Sequence, residues 1–323
     1  MTQQKDQTTL VTGAAGFIGF HLCKKLLQQG RLVIGVDNLS SYYDVSLKKA
    51  RVDLLKPYKK FTFYKKDIQD LSGLKEIFKD HRIGIICNLA AQAGVRHSFK
   101  DPFSYQKSNL EGFLNLLEMA REYRVVNFVY ASSSSVYGSN TRIPFSEDDR
   151  VETPVSLYGA TKKANELMAY AYHHMFNIPS TGLRYFTVYG PWGRPDMALF
   201  LFTEAILNKK PINVYNYGRM KRDFTYIDDI VKGTIAALER PSPYEIFNLG
   251  NSNAVELLDF IGIIEDELGL EAQKNMMPLQ PGDVLETSAD IQKSKEMLGF
   301  SPKTSIKEGI VNFLVWYRDH YGI

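Results

Sequence analysis

The feature that most constrains the fold is the glycine-rich segment 13–19, which reads Gly-Ala-Ala-Gly-Phe-Ile-Gly and lies between two periodic patterns. The apolar run Thr9–Val11 before it predicts a buried strand. After it, apolar residues at i, i+4 and i+8 in the stretch 18–26 predict a helix that ends near Gly30. Glycines at such a turn let the backbone approach a pyrophosphate, which the positive end of the helix attracts. The segment therefore predicts a dinucleotide site. Its predicted cofactor-binding residues are Gly13, Gly16, Phe17, Ile18 and Gly19.

The second apolar run, Leu32–Val36, ends at an acidic residue, Asp37. A carboxylate at this position can accept hydrogen bonds from the ribose hydroxyls of adenosine, and it repels the 2′-phosphate of NADP. The pattern therefore favours NAD. A strand–helix turn without a ligand is the alternative interpretation of the glycines alone, and Asp37 makes it the weaker one.

Apolar runs and amphipathic stretches alternate through the first half of the chain. Further runs occur at Phe61–Tyr64, Ile83–Leu89 and Asn127–Ala131. Continuous apolar strands between helical patterns are typical of a parallel sheet that is covered on both faces. We therefore predict an α/β fold with a Rossmann-type doubly wound parallel sheet.

The pattern changes at about Arg184, beyond which Gly, Pro and aromatic residues are frequent. A smaller mixed α/β substrate-binding lobe is predicted there. Its expected elements are helices near 200–207 and 306–316 and strands at 212–215 and 246–249. The predicted domains are 1–183, which binds NAD, and 184–323, the lobe. Segments near 212–240 are expected to return to the first domain.

Two short patterns predict catalytic chemistry. Tyr158 and Lys162 stand four residues apart, so on a helix they share one face, and an ammonium beside a phenol lowers the pKa of the phenol. A cluster of hydroxyls, Ser132–Ser135, follows the strand that ends at Ala131, and ligands bind at the carboxyl ends of such strands. Taken alone, the first pattern also fits a solvated helix and the second a helix cap. Their combination with a dinucleotide fold favours an active site.

Composition and charge argue against other classes of function. The formal net charge of +3 is spread without long basic runs, so nucleic acid is not an expected partner. No apolar run approaches the ~20 residues of a membrane span, and the polar start contains no apolar signal segment, so no membrane partner is expected. Cys23 and Cys87 are expected to be buried free thiols, which predicts a cytoplasmic location. The histidines lack metal-ligand spacing, and no metal is expected.

The chain resembles the extended short-chain dehydrogenase/reductase family along nearly its whole length. The segments that carry the resemblance follow the family's order and are GAAGFIG, the aspartate of VDNLS, Asp67-Ile68, NLAAQAG, SSSSVYG, YGATK and FTYIDDIV. The resemblance implies that Ser133, Tyr158 and Lys162 are catalytic. Besides the glycine turn and Asp37, it implies cofactor contacts from Asn38, Asp67, Ile68, Leu89, Ala90, Ala91, Gln92, Tyr158 and Lys162.

A narrower resemblance lies in residues 185–198, YFTVYGPWGRPDMA, which are similar to the UDP-glucuronate 4-epimerase branch of the family. It implies a UDP-sugar substrate and interconversion of UDP-glucuronate and UDP-galacturonate through a transient 4-keto sugar, with NAD recycled in place. A family arginine near Pro-Gly-Asp is Gln280 here, whereas Asp283 is retained. The implied substrate contacts are Arg96, Ser133, Ser134, Thr187, Arg194, Met197, Ala198, Tyr215, Arg222, Gln280 and Asp283.

Several alternatives stay open at the level of sequence. Related dehydratases and decarboxylases carry a carboxylate beside the catalytic hydroxyl, where this chain has Ser134-Ser135-Val136, so both activities are disfavoured. An epimerase of another UDP-hexose or of a UDP-N-acetylhexosamine is possible, since Thr287 is small. A non-catalytic NAD-binding sensor is the alternative from a different class. The resemblance also implies a homodimer through a four-helix bundle, and the apolar stripes around 110–119 and 167–172 fit it.

Overall fold

A computed structural model describes residues 7–280 and 282–323. Its main sheet contains β1 (Thr8–Thr12), β2 (Val33–Val36), β3 (Phe61–Tyr64), β4 (Ile83–Asn88), β5 (Asn127–Ser133), β6 (Ser180–Tyr185) and β10 (Tyr244–Leu249). The strand order is β10-β6-β5-β4-β1-β2-β3, and all neighbours are parallel. The order reverses between β1 and β4, which is where ligands bind in doubly wound sheets. The predicted fold class is confirmed.

Both faces of this sheet are covered. Successive side chains of a strand point to opposite faces, so each strand contributes to a buried cluster on each side. Leu10 and Ile86 belong to one buried apolar cluster, whereas their neighbours Val11 and Cys87 belong to the other. The helices of this part are α1 (Phe17–Gln28), α2 (Val45–Leu55), α3 (Leu71–Asp80), α4 (Pro102–Tyr105), α5 (Gly112–Glu122) and α6 (Leu157–Phe176). A π-helical stretch, Gln106–Glu111, joins α4 to α5. Both cysteines are buried free thiols.

The rest of the chain forms two small sheets with flanking helices. The remaining strands are β7 (Thr187–Tyr189), β8 (Ile212–Tyr215), β9 (Lys221–Tyr226), β11 (Ala254–Glu256) and β12 (Lys274–Met277). Strands β11, β9 and β7 form one sheet, and β12 and β8 form the other. The helices are α7 (Ala198–Leu207), α8 (Ile227–Glu239), α9 (Leu257–Leu268), α10 (Gln292–Leu298) and α11 (Ile306–Tyr321).

The part of the chain that returns to the main sheet differs from the predicted segment near 212–240. Strand β8 pairs with β12 and stays in the lobe. Helix α8 instead packs against α1, and β10 extends the main sheet beside β6. The part of the chain that returns to the main sheet is therefore 227–249. The apolar residues at the end of β10 are buried where this strand pairs with β6. Strand β6 also crosses the predicted boundary at residue 184, since Arg184 still pairs with both neighbouring strands.

One fully buried cation joins the glycine turn to the second lobe. The guanidinium of Arg51, on α2, donates to the backbone oxygen of Ala15 at 2.9 Å and to the hydroxyl of Tyr43 at 2.7 Å. It also donates to the backbone oxygens of Trp192 at 2.7 Å and Gly193 at 3.2 Å. A buried charge is stable only when it is hydrogen-bonded, so these acceptors hold the two segments together.

Residues 1–6 of the polar start, from which the lack of a signal segment was predicted, lie outside the described residues. Within 7–280 and 282–323, no helix combines the length and apolar character that crossing a membrane would need.

Candidate active site

A cavity of about 1020 Å³ lies between the carboxyl edge of the main sheet and the second lobe. The structure brings nearly all of the residues predicted from sequence to its wall. On the sheet side these are Gly13, Gly16, Phe17, Ile18, Gly19, Asp37, Asn38, Asp67, Ile68, Leu89, Ala90, Ala91, Gln92, Arg96, Ser133, Ser134, Tyr158 and Lys162. On the lobe side they are Thr187, Arg194, Met197, Ala198, Tyr215, Arg222 and Asp283. Gln280 does not line the cavity. Its backbone oxygen accepts a hydrogen bond from the backbone N–H of Asp283 at 3.2 Å.

The glycine turn has the shape that a pyrophosphate requires. Gly13 has a φ of +69°, and a Cβ there would lie 2.8 Å from the backbone nitrogen of Ala90. A Cβ on Gly19 would overlap the backbone oxygen of Gly13. The turn therefore leads into α1 with bare backbone, and its glycines line the cavity, so these residues fit a dinucleotide.

Asp37 lies directly against this turn. Its carboxylate accepts hydrogen bonds from the backbone N–H of Ala15 at 3.1 Å and of Leu39 at 2.8 Å. Burial raises the pKa of Asp37, while the Leu39 N–H and the charge of Lys48 lower it. The next residue, Asn38, donates to Asp67 at 2.7 Å, so two predicted adenosine contacts are connected.

The three predicted catalytic residues meet at the carboxyl end of β5. Ser156 caps α6 by accepting a hydrogen bond from the backbone N–H of Gly159 at 3.0 Å, which places Tyr158 in the first turn. Lys162 follows one turn later, and its ammonium donates to the backbone oxygen of Ala131 at 2.8 Å. The Ser133 hydroxyl accepts from the backbone N–H of Ser135 at 3.1 Å and faces Tyr158. A hydroxyl, a phenol and an ammonium are thus combined in one wall of the cavity.

Burial is the largest influence on the pKa values of both Tyr158 and Lys162. Burial raises the pKa of Tyr158, whereas the Ser133 hydroxyl and the Arg194 charge lower it. Lys162 was expected to be the group that lowers it. Burial instead lowers the pKa of Lys162 to about 8. The ammonium is directed to the backbone of β5, and its effect on Tyr158 stays a prediction.

Two residues of the lobe, Arg194 and Asp196, form an ion pair that the sequence alone does not predict. Arg194 donates to Asp196 through Nε at 3.0 Å and Nη2 at 2.6 Å. Tyr42, which follows β2, donates to the same carboxylate at 3.0 Å. Burial lowers the pKa of Arg194, but Asp196 outweighs this effect and raises it. Arg194, an implied substrate contact, is therefore paired with Asp196 while it lines the cavity.

A second charged group lies nearer the opening of the cleft. Arg96 donates to Asp283 at 2.8 Å, and its guanidinium lies 4.4 Å from the ring centre of Tyr215. Burial lowers the pKa of Arg222, the neighbouring Asp283 raises it, and Arg96 lowers it further. The two arginines and one carboxylate leave a net positive charge, which suits a diphosphate.

Sequence reasoning missed several residues that shape this site. Tyr105 lies edge-on to Tyr158 with ring centres 6.2 Å apart, and it donates to the backbone oxygen of Ala93 at 2.8 Å. Asn109, in the π-helical stretch, accepts from the backbone N–H of Gln92 at 2.8 Å and donates to its oxygen at 3.0 Å. No local spacing in the sequence signals these contacts.

No group of three His, Cys, Asp or Glu side chains in the part of the chain that the structure describes is placed to hold a metal ion.

Comparisons with known proteins agree with this geometry. A model of the NAD dependent epimerase/dehydratase family matches residues 9–250. A UDP-glucuronate 4-epimerase of Thermodesulfobacterium geofontis is 46% identical over 96% of each chain. A probable UDP-glucuronate 4-epimerase of Rhizobium meliloti is 42% identical over 97% of each chain. Among solved structures, UDP-glucuronic acid 4-epimerase from Bacillus cereus in complex with UDP-glucuronic acid and NAD is similar with a TM-score of 0.91. It is 38% identical, and the match covers 98% of this chain and 100% of that one.

Proposed function

The chain belongs to the NAD-dependent epimerase/dehydratase family, and from this premise we propose that it is an isomerase, a UDP-glucuronate 4-epimerase. It interconverts UDP-glucuronate and UDP-galacturonate and uses NAD as its cofactor. The observation that carries the proposal is the placement of Ser133, Tyr158 and Lys162 in the cavity that also contains the glycine turn.

The proposed proton chemistry belongs to Tyr158. As a phenolate it removes the proton from the hydroxyl at C4 of the sugar, and as a phenol it returns the proton later. Ser133 donates a hydrogen bond to the reacting oxygen and positions it. Arg194 and Ser133 both favour the phenolate, which offsets part of the effect of burial. When bound, NAD supplies the acceptor and donor of the C4 hydride, so no net oxidation occurs.

Inversion at C4 requires that the keto sugar turn while its nucleotide stays in place. We assign the hold on the diphosphate to Arg222 and Arg96, and that on the rest of the nucleotide to Tyr215 and Asp283, because they form the charged group near the opening. The sugar end of the cavity is instead lined by short side chains, Ser134, Thr187 and Ala198. Charged groups at the nucleotide and short side chains at the sugar suit this division.

A uronate adds a requirement that a neutral sugar does not have. Oxidation at C4 makes a β-keto acid, which loses carbon dioxide when the breaking bond aligns with the carbonyl. We propose that Thr187 and Ser134 hold the carboxylate out of that alignment by hydrogen bonds, while the Ser133 hydroxyl is used by the reacting oxygen. The cavity wall beside Ser133 carries Ser134 and Ser135 in place of an acid, which supports epimerisation over dehydration or decarboxylation.

The assembly and location are also part of the proposal. Leu114 on α5 and Leu167 and Tyr170 on α6 are exposed, at 40%, 59% and 54%, on helices that pack against each other. Pairing these helices with those of a second copy would cover the apolar surface and form a four-helix homodimer interface. The two buried free thiols support a cytoplasmic location.

The test is product analysis by NMR. Purified protein is incubated with UDP-glucuronate and, separately, with UDP-glucose and UDP-N-acetylglucosamine. Formation of UDP-galacturonate supports the proposal. A UDP-pentose with carbon dioxide would indicate a decarboxylase. Turnover of only the neutral sugars would indicate another epimerase, and no product from any of them would indicate a sensor.

A further inference from the structure

Three consecutive residues of β5 contact three successive turns of α6. Ala131 accepts a hydrogen bond from Lys162, and Ser133 faces Tyr158. Between them, the hydroxyl of Ser132 donates to Oε1 of Glu166 at 2.7 Å. Residues 158, 162 and 166 are spaced by four, so they share one face of the helix. The third contact lies one turn beyond the proposed catalytic pair.

Glu166 is held rigidly although it is fully buried. Arg184 donates to its two oxygens at 2.8 and 3.0 Å. Burial alone would raise the pKa of Glu166, but Arg184 and Ser132 hold it below its ordinary value. The carboxylate is therefore charged and compensated. Moving it would leave a buried charge without its partners, which is costly.

The guanidinium of Arg184 is itself held in place by a further hydrogen bond, besides those to Glu166. It donates to the hydroxyl of Tyr137 at 3.0 Å, and that hydroxyl donates to Asn248 on β10 at 2.7 Å. Arg184 is also the register partner of Ser132 across β5 and β6. The acceptor that Ser132 uses is thus anchored to two neighbouring strands as well as to the helix.

The consequence for the active site follows from strand geometry. Ser132 and Ser133 are consecutive residues at the end of β5, so their side chains are carried by the same short backbone segment. A hydrogen bond from Ser132 to a fixed acceptor limits both the rotation and the sliding of that segment. It thereby limits where the Ser133 hydroxyl stands relative to Tyr158.

We propose that Ser132 and Glu166 are a positioning pair that sets the distance between Ser133 and Tyr158. This inference depends on the proposed epimerase function only for its kinetic part. Neither residue is a catalytic residue, because their contact lies between the strand and the helix.

The variant that isolates the pair is Ser132→Ala, which removes one hydroxyl and leaves the Glu166–Arg184 ion pair intact. The matched control is Tyr244→Phe. The Tyr244 hydroxyl also donates to Glu166, at 3.0 Å, but to its backbone oxygen, and on β5 it faces Tyr130 and not the serines. Both variants lose one hydrogen bond to the same residue of the same helix. Thermal unfolding of each establishes how far they differ in stability.

The kinetic readout is kcat and KM for UDP-glucuronate. We expect Ser132→Ala to lower kcat by about tenfold or more, since small misplacements of reacting groups have large effects on rate, with KM and NAD affinity unchanged. Tyr244→Phe is expected to keep the wild-type kcat. Equal kcat values for the two variants, whether both are high or both are low, would overturn the proposal.

A second readout does not depend on turnover. In NAD-loaded protein with 13C-labelled tyrosine, the signal of Tyr158 is assigned with Tyr158→Phe and titrated. The charged or titratable groups that face Tyr158 are Lys162, Arg194 and Tyr105, and Ser132→Ala leaves all three in place. Because Ser133 lowers the pKa of Tyr158, its displacement in Ser132→Ala is expected to raise that pKa. An unchanged titration in this variant would overturn the proposal. Wild-type protein that titrates as expected but gives no UDP-galacturonate would instead refute the proposed function.

Discussion

Gly13→Ala is expected to test the two reasons why the first turn needs glycine at this position. One is the positive φ of the residue, and the other is the close approach of the backbone at residues 89–90. The residue is in the left-handed region, which costs an ordinary residue about 1–2 kcal/mol. Its new Cβ would also lie 2.8 Å from the nitrogen of Ala90 and 2.9 Å from the carbonyl carbon of Leu89. Ordinary contact begins at 3.4 Å, so the turn and this backbone must move apart by about 0.6 Å. Both segments are predicted cofactor contacts, and binding sites tolerate only about 0.5 Å of displacement.

The matched control is Gly269→Ala. Gly269 has a φ of +67°, nearly that of Gly13, but a Cβ there would meet nothing within 4 Å. We expect both variants to lose about 1–2 kcal/mol of unfolding free energy from the backbone alone. Only Gly13→Ala should weaken NAD binding, by about tenfold or more, which corresponds to about 1.4 kcal/mol.

The assay is calorimetric titration with NAD, together with denaturant unfolding of the NAD-free protein. Wild-type NAD affinity in Gly13→Ala would refute the assignment of the turn to the cofactor. Equal losses of affinity in both variants would show that general destabilisation, and not the contact with residues 89–90, is responsible.

Four further outcomes are expected. Because of the carboxylate of Asp37, the purified protein should carry NAD and bind it more tightly than NADP at equal salt. Tyr158→Phe should lower turnover by at least about 10²-fold while UDP-glucuronate still binds, since only the proton-transferring hydroxyl is lost. Thr187→Val should weaken the hold on the carboxylate by about 1–3 kcal/mol, which slows epimerisation and yields a pentose by-product visible by NMR. Burial lowers the pKa of His21 from 6.5 to about 4, so the unfolded chain takes up its proton first as pH falls through this window. Unfolding free energy should therefore decline from pH 6.5 to 4 more steeply in wild type than in His21→Gln.

For each of these predictions, one experimental result would contradict it. Tighter binding of NADP would remove the argument from Asp37. A near-wild-type rate in Tyr158→Phe would mean that another residue is the base. A Thr187→Val protein with the wild-type rate and no pentose would exclude Thr187 from a carboxylate hold. Identical pH profiles of unfolding for wild type and His21→Gln would show that folding does not lower the pKa of His21.

Much of the fold was accessible from sequence because its signals are local. The apolar runs around β1 to β5 are short, continuous and separated by helical periodicity, and the glycine turn joins two of them directly. The position of β10 was not accessible in the same way. Residues 186–243 separate it from β6, and nothing in its own pattern states which sheet edge it joins.

The candidate site shows the same division. Tyr158 and Lys162 are paired by a spacing that can be read from the chain, whereas the contact of Tyr42 with Asp196 joins residues from different lobes. Ionisation was the least accessible property. The spacing predicts that Lys162 lowers the pKa of Tyr158, which stays a prediction, whereas the pKa directions seen in the structure depend on burial and on hydrogen-bond partners. Both are set by tertiary packing.

The buried guanidinium of Arg51 has a consequence for how the two ligands influence each other. It is shared by the turn that receives the cofactor and by the loop that leads into Arg194, so neither segment can shift without changing the hydrogen bonds of the other. Ligand binding that orders one segment therefore lowers the cost of ordering the other. Thermodynamic reciprocity then requires that UDP-sugar tighten the grip on NAD by the same factor by which NAD favours UDP-sugar. The proposed epimerase must retain its cofactor, oxidised or reduced, between the two half-reactions. NAD is bound most tightly while the UDP-sugar is also bound, which is when its loss would stop the reaction.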